Sequence, residues 1–165
     1  MHFILPYIGK IDLSNLEDYY ETTIDFKGNE IELDINFESE DIEVRRLNLI
    51  KSVFKNISSY DLKNLKYIKN DYRSTEADIV RFYIKHHIEE LGQDILSHLV
   101  NYDILSPSPE LQLLDKLHLI RVGIYLDNED FNIVFDYTID EEITNYLVVV
   151  NTDENGNLDY ITSES

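Results

Sequence analysis

The chain contains no cysteine and only three prolines and five glycines in 165 residues. The lack of cysteine excludes disulfides, thiolate metal sites and cysteine nucleophiles, and it fits a reducing compartment. No apolar run approaches the roughly 20 residues that span a bilayer. The short apolar N-terminus is interrupted by Pro6 and has no basic segment before it. We therefore expect a cytoplasmic protein without a membrane partner.

Positive charge is also scarce. The chain has 14 Lys and Arg residues against 33 Asp and Glu residues, and its formal net charge is -19. Because nucleic-acid binding depends on clustered Lys and Arg, we expect no direct nucleic-acid partner. Hydrophobic residues nevertheless make up 43% of the chain. This length and composition predict one folded domain over residues 1–165 that needs neither a disulfide nor a metal.

The few bases are concentrated in the middle of the chain. Residues 44–88 hold 10 bases and 4 acids, whereas residues 1–43 hold 12 acids and 2 bases, and residues 89–165 hold 17 acids and 2 bases. One interpretation places the bases on the solvent faces of central helices. The other is an acidic surface displayed to a basic partner. The sequence leaves both open.

Residues 1–38 predict a β-hairpin region. Apolar and polar residues alternate over residues 19–26 and 30–37, and the intervening residues 27–29 have turn chemistry. Before this hairpin, residues 11–16 predict a short helix or a turn.

Residues 40–116 predict a helical region because apolar residues now recur at spacings of three and four. The first predicted helix covers about 40–57, and a second, short basic helix covers about 62–73. A third helix begins near a capping-box pattern at Thr75. It either ends at Gly92 or continues beyond it.

Residues 117–162 predict a β-meander with turns between short strands. The whole pattern predicts an α+β fold in which an N-terminal β-hairpin and a C-terminal β-meander build an antiparallel sheet, with the central helical segment packed on one face. We expect one core that includes Leu33, Ile35, Phe54, Ile84, Phe135 and Val149.

Short motifs at both ends of the chain form a pattern. They are residues 119–126 (LIRVGIYL), 134–137 (VFDY), 144–150 (TNYLVVV), 153–156 (DENG) and the ending Ser163-Glu164, with 9–13 (GKIDL) and the hairpin of residues 19–37 at the other end. Together these segments resemble a bacterial domain-of-unknown-function family numbered two thousand and four. The resemblance spans nearly the whole chain. It implies a small bacterial α+β protein, and it transfers no catalytic residue.

His86 and Glu90 form the most suggestive pair for a metal site. They lie four residues apart and would share one helical face. Two ligands are fewer than a zinc site needs, so a surface pair is the better interpretation and a metal site the weaker alternative. We expect no bound metal.

Two acidic loops are the candidate partner-binding sites. Their residues are Asp127, Glu129 and Asp130 at one predicted hairpin tip and Asp140, Glu141 and Glu142 at the next turn. Neither loop matches the EF-hand pattern. In so acidic a chain, solvated loops are the alternative explanation.

The sequence shows no Gly-rich phosphate loop, no Gly-x-Ser-x-Gly elbow and no Cys/His nucleophile pair. We therefore predict no catalytic residue and no cofactor. The leading hypothesis is a non-catalytic protein-binding module, such as an immunity-type neutraliser of a basic toxin domain. The alternatives are a housekeeping homo-oligomeric interaction protein and a metal-dependent hydrolase that uses the acidic loops or His86 with Glu90.

Overall fold

The computed structural model describes residues 1–165 and confirms the α+β class. The strands are β1 His2–Leu5, β2 Gly9–Asp12, β3 Tyr19–Phe26, β4 Asn29–Phe37, β5 His118–Leu126, β6 Phe131–Thr138, β7 Leu147–Asp153 and β8 Leu158–Glu164. The helices are α1 Val44–Lys55, α2 Ile57–Arg73, α3 Ile79–Leu96 and α4 Pro109–Leu114.

The main sheet has six strands in the order β3-β4-β5-β6-β7-β8. Neighbouring strands are antiparallel, as predicted, within the N-terminal hairpin and within the C-terminal meander. The two parts join through a parallel pair, β4 with β5. All four helices lie between these two strands in sequence, and a parallel pair requires a long crossover of this kind. Alternation within a strand does not report the strand's direction, so the sequence did not reveal this join.

Strands β1 and β2 form a separate two-stranded hairpin, which pairs Phe3 with Ile11. The predicted helix or turn over residues 11–16 is therefore wrong in its first part, because Ile11 belongs to a strand. Its side chain is buried in the core. This hairpin lies against α1, where the Lys51 ammonium sits 6.0 Å from the Phe3 ring centre.

The helices follow the predicted order with several differences. Helix α3 begins at Ile79, so the capping box predicted at Thr75 is wrong. Helix α2 begins directly after α1, because only Asn56 interrupts them, with φ -122°. Helix α3 continues past Gly92 to Leu96, but Gly92 has φ 74° and breaks the helical geometry there. Glycine reaches positive φ without a steric penalty, so Gly92 forms a kink between two helical segments.

A core cluster of 32 buried residues lies between the helices and one face of the sheet. Of the six residues predicted to share a core, it contains Leu33, Ile35, Phe54, Ile84 and Phe135. Val149 is also buried but does not belong to this cluster. It pairs with Asp136 and lies on the opposite face of the sheet, so its assignment to the same core is wrong.

Helix α2 is fixed to the sheet by specific contacts. The Tyr60 ring stacks on Phe135 with centroids 5.9 Å apart. The buried Tyr137 hydroxyl donates to Asp61 Oδ1 at 2.8 Å, and Lys27 Nζ donates to Asp61 Oδ2 at 2.8 Å. These contacts place the helical layer on the face of the sheet that carries Phe135 and Tyr137, and they leave the other face without a helix. None of the helices is long and apolar enough to cross a membrane.

Candidate binding surface

The uncovered side of the six-stranded sheet, here called the open face, carries the side chains that alternate with the core residues. On β4 the core positions include Leu33 and Ile35, while Glu32, Asp34 and Asn36 point the other way. The carboxylates of the open face are Glu21, Asp25, Glu30, Glu32, Asp34, Asp136 and Glu164, and its cation is Arg121. The open face is therefore strongly acidic.

The centre of the open face is a hydrogen-bonded network around Arg121. Its Nε and Nη2 donate to the two carboxylate oxygens of Asp34 at 2.7 and 2.9 Å, and its Nη1 donates to Asp136 Oδ2 at 3.3 Å. Nη2 also donates to the Tyr125 hydroxyl at 2.8 Å. The side chain of Asp34 is 1% exposed. A buried carboxylate needs such a partner, because taking its charge out of water without compensation costs on the order of several kcal/mol.

Gly123 makes this network possible. It pairs with Asp34 across β4 and β5, directly beneath the path that the Arg121 side chain takes to reach that carboxylate. A Cβ at this position would lie 2.6 Å from Arg121 Nη2 and 3.2 Å from Asp34 Oδ2. The missing side chain therefore provides the space for the guanidinium group.

The pKa values on this face reflect its burial and its negative field. Burial raises the pKa of Asp136, although the nearby Arg121 charge opposes the shift. Burial alone would lower the pKa of Arg121, but its hydrogen bonds to Asp34 and Tyr125 and the charges of Asp34 and Asp136 raise it above its ordinary value. Partial burial, the hydrogen bond to Glu21 and the charge of Asp34 raise the pKa of Tyr19 to about 12. The network thus holds Arg121 charged in strongly acidic surroundings.

A shallow cleft of about 350 Å³ opens beside this network. Its lining includes Tyr125, Asn132, Val134, Asn151 and Tyr160. The Asn151 Nδ2 is buried and has no hydrogen-bond partner. The exposed Tyr160 ring of this cleft is available to a docking partner.

The positive charge lies on the helical side of the molecule. All ten bases of residues 44–88 are in α1, α2 and α3. Most of them are exposed, but Arg46 is buried. The placement of bases on the solvent faces of central helices is therefore confirmed for most of them. The molecule consequently has a basic helical side and an acidic sheet side.

The first acidic loop lies at the turn between β5 and β6. Asp127 Oδ1 accepts hydrogen bonds from the backbone N–H groups of Glu129 and Asp130, both at 2.6 Å. These two bonds lower the pKa of Asp127. Asp127 therefore shapes the turn, while the side chains of Glu129 and Asp130 are exposed and make no hydrogen bond.

The second acidic loop lies at the other end of β6. Asp140 Oδ2 pairs with His98 Nε2 at 2.9 Å, which lowers the pKa of Asp140 and raises that of His98. Glu141 and Glu142 are exposed. Strand β6 has eight residues, so the two loops lie roughly 26 Å apart at about 3.3 Å per residue. The structure does not bring them together, and the open face extends between them.

His86 and Glu90 lie on one side of α3, as predicted, and both line a cavity that Glu141 and Glu142 also line. The structure thus brings the predicted metal pair next to part of the second acidic loop. Even so, no group of three or more His, Asp or Glu residues is arranged to hold a metal ion.

No family model matches the chain, and no match is found among curated proteins or solved structures. The resemblance inferred from the sequence therefore stays a prediction. The site rests on its geometry alone.

Sequence reasoning missed the residues at the centre of the open face, namely Arg121, Asp34 and Gly123. One signal was available. Arg121 is one of two bases among residues 89–165, and it lies between apolar residues in a predicted strand. A lone base in such a position needs an acidic partner, but the sequence does not identify which acidic residue is that partner.

Proposed function

We propose that this chain is a non-catalytic protein-binding module whose open face binds a basic protein. The observation that carries the proposal is the layout of charge. One face of a six-stranded sheet lacks a helix, carries an excess of carboxylates and has its single cation already paired with Asp34 and Asp136. Complementary charge accelerates association and favours specificity over nonspecific contact.

An immunity-type neutraliser of a basic toxin domain is the form of this function that we favour. Such a module needs a rigid acidic surface and no chemistry of its own. The buried Arg121 network supplies the rigidity, because its four hydrogen bonds hold three neighbouring strands in register. The first acidic loop extends the same surface, and its exposed Glu129 and Asp130 can meet a partner that covers the sheet. The exposed carboxylates of the second loop, Glu141 and Glu142, lie toward α3 instead. The proposal keeps the bacterial, cytoplasmic setting expected from the sequence.

A second copy of the chain fits the open face poorly. Two such faces would bring like charges together, which is unfavourable at short range. For the homo-oligomer alternative, the edge strand β8 is a more suitable interface, because its Leu158 and Tyr160 are 41% and 54% exposed. The hydrolase alternative has no comparable support.

The test uses two variants that remove the same amount of negative charge. The open-face variant is Glu21→Gln, Glu32→Gln and Glu164→Gln, and the helix-side control is Glu76→Gln, Asp94→Asn and Asp103→Asn. All six residues are exposed. Each protein is immobilised and exposed to lysate of the native host, and the retained proteins are identified by mass spectrometry.

We expect the wild type and the helix-side control to retain the same basic protein and the open-face variant to lose it. Retention of that protein by all three contradicts the proposal for the open face. Retention of only acidic or neutral proteins contradicts the proposed partner class.

A further inference from the structure

A second candidate site lies away from the open face, between α3 and the segment that joins β6 to β7. It is a cavity of about 310 Å³. Helix α3 contributes His86, His87 and Glu90, and the joining segment contributes Glu141, Glu142 and Tyr146. We call this cavity the α3 pocket.

The floor of the α3 pocket is held in place by buried hydrogen bonds. His87 is 2% exposed. Its Nδ1 lies 2.7 Å from the Tyr83 carbonyl oxygen, and its Nε2 lies 2.8 Å from Thr144 Oγ1. The Tyr83 hydroxyl in turn donates to the Tyr146 carbonyl oxygen at 3.0 Å. The joining segment is therefore fixed to α3 before any ligand arrives, which reduces the entropy cost of binding.

Aromatic rings form one wall of the pocket. The rings of His86 and Tyr146 are 5.2 Å apart with an interplanar angle of 66°. The Phe82 ring stacks on the outer side of His86 at 5.9 Å. Tyr146 is 43% exposed and Phe82 is 66% exposed. His86 and Tyr146 line the cavity, so their rings are available to a ligand bound there.

The other wall is negatively charged and lacks a counterion. The carboxylates of Glu90, Glu141 and Glu142 make no hydrogen bond or ion pair, and no Lys or Arg lines the cavity. His98, which follows α3, is already paired with Asp140 of the joining segment. An anion is therefore excluded from this pocket by repulsion.

We propose that the α3 pocket binds an alkylammonium or guanidinium group. Such a group places an organic cation over the Tyr146 ring and directs its charge toward the three carboxylates, as in aromatic cages for organic cations. The group can belong to an arginine or lysine side chain of a protein or to a free amine. The pocket lies at the end of β6 on the helical side, so the proposal does not depend on the partner of the open face.

The test is an NMR titration of the full-length protein, following the Tyr146 and His86 signals. The probes are tetramethylammonium, the neutral molecule tert-butanol of similar size, acetate, acetyl-arginine amide and a Gly-Arg-Gly peptide. We expect saturable shifts at these two residues with the cationic probes and none with tert-butanol or acetate. A peptide that binds more tightly than tetramethylammonium assigns the pocket to a protein side chain, and the reverse order assigns it to a free amine.

Variants locate the binding. Tyr146→Leu keeps bulk but removes the π face, and we expect tetramethylammonium to bind it about tenfold more weakly, the size of one cation–π contact. Glu90→Gln with Glu141→Gln and Glu142→Gln should weaken binding by a similar factor. The matched controls are Tyr160→Leu and the helix-side control, which should bind like the wild type.

Equal shifts with tert-butanol, no shifts with any cation, or wild-type affinity in Tyr146→Leu would each overturn the proposal. If Tyr146→Leu does not fold, the comparison of tetramethylammonium with tert-butanol on the wild type decides the question alone.

Discussion

Arg121 and Asp34 form a bidentate ion pair across two parallel strands, with N–O distances of 2.7 and 2.9 Å. They are 87 residues apart in sequence, and they join the N-terminal hairpin to the C-terminal meander at the one parallel contact of the sheet. The Arg121 side chain is 24% exposed and the Asp34 side chain 1%. Both side chains of the pair are therefore largely buried, unlike those of a surface ion pair.

Replacing Arg121 by Met should destabilise the protein by about 3 to 5 kcal/mol, because the buried Asp34 and Asp136 then lose their cationic partner and Asp34 keeps only the Asn36 amide. The measurement is urea unfolding monitored by circular dichroism. The slope of the unfolding free energy against urea concentration is compared between the two proteins. Adding Asp34→Asn and Asp136→Asn to Arg121→Met should recover most of the loss, since the uncompensated charges are gone. A loss below about 1 kcal/mol for the single variant would show that water already solvates these carboxylates.

Gly123→Ala should also destabilise the protein, by about 1 to 3 kcal/mol, the usual cost of overpacking. The added Cβ would lie 2.6 Å from Arg121 Nη2 and 2.9 Å from Arg121 Cζ, so the guanidinium must move. The cost should shrink when Arg121 is already Met, and a double-mutant cycle measures that coupling. Equal costs in both backgrounds would mean that Gly123 matters for another reason.

The sequence predicted the fold well where the signal was local. Alternation over β4 identified Leu33 and Ile35 as core residues, and both are fully buried. The same alternation placed Asp34 on the other side of the strand. It did not show that β4 lies beside β5, because pairing between distant strands depends on how the helical crossover packs. The Arg121 network therefore followed only from the three-dimensional structure.

Val149 illustrates the same limit. Its strand is a nearly continuous apolar run, and such a run does not say which side chains face the helices. The register with β6 places Val149 beside Asp136 on the open face. The acidic loops were likewise found by composition, but their positions at opposite ends of β6 depend on the topology.

The stability of the protein should fall as the pH drops from about 7 toward 5, in part through His87. Burial lowers the pKa of His87 in the folded protein, whereas in the unfolded chain this side chain titrates near its ordinary value of 6.5. Below that value the unfolded chain binds more protons, which favours unfolding. His98 acts in the opposite direction: Asp140 raises its pKa, so its contribution is present at low pH and is lost as the pH rises through the folded value.

His87→Gln isolates the first contribution. Gln cannot be protonated in this range, so the variant should lose less stability than the wild type between pH 7 and pH 5. Urea unfolding at several pH values measures the difference, and His98→Gln serves as the comparison with the opposite sign. A constant free-energy difference between wild type and His87→Gln across this range would contradict the assignment.

In the proposed function, the open face recognises a basic protein through its charge. The most direct measurement is the association rate of the basic protein retained by the wild type, recorded by stopped flow at increasing salt. We predict that the rate falls steeply with salt, since steering is long-ranged and screened over about 8 Å at physiological ionic strength. The open-face variant should associate more slowly and with a weaker salt dependence, while the helix-side control should match the wild type. Equal rates for the open-face variant and the helix-side control at every salt concentration would contradict the claim.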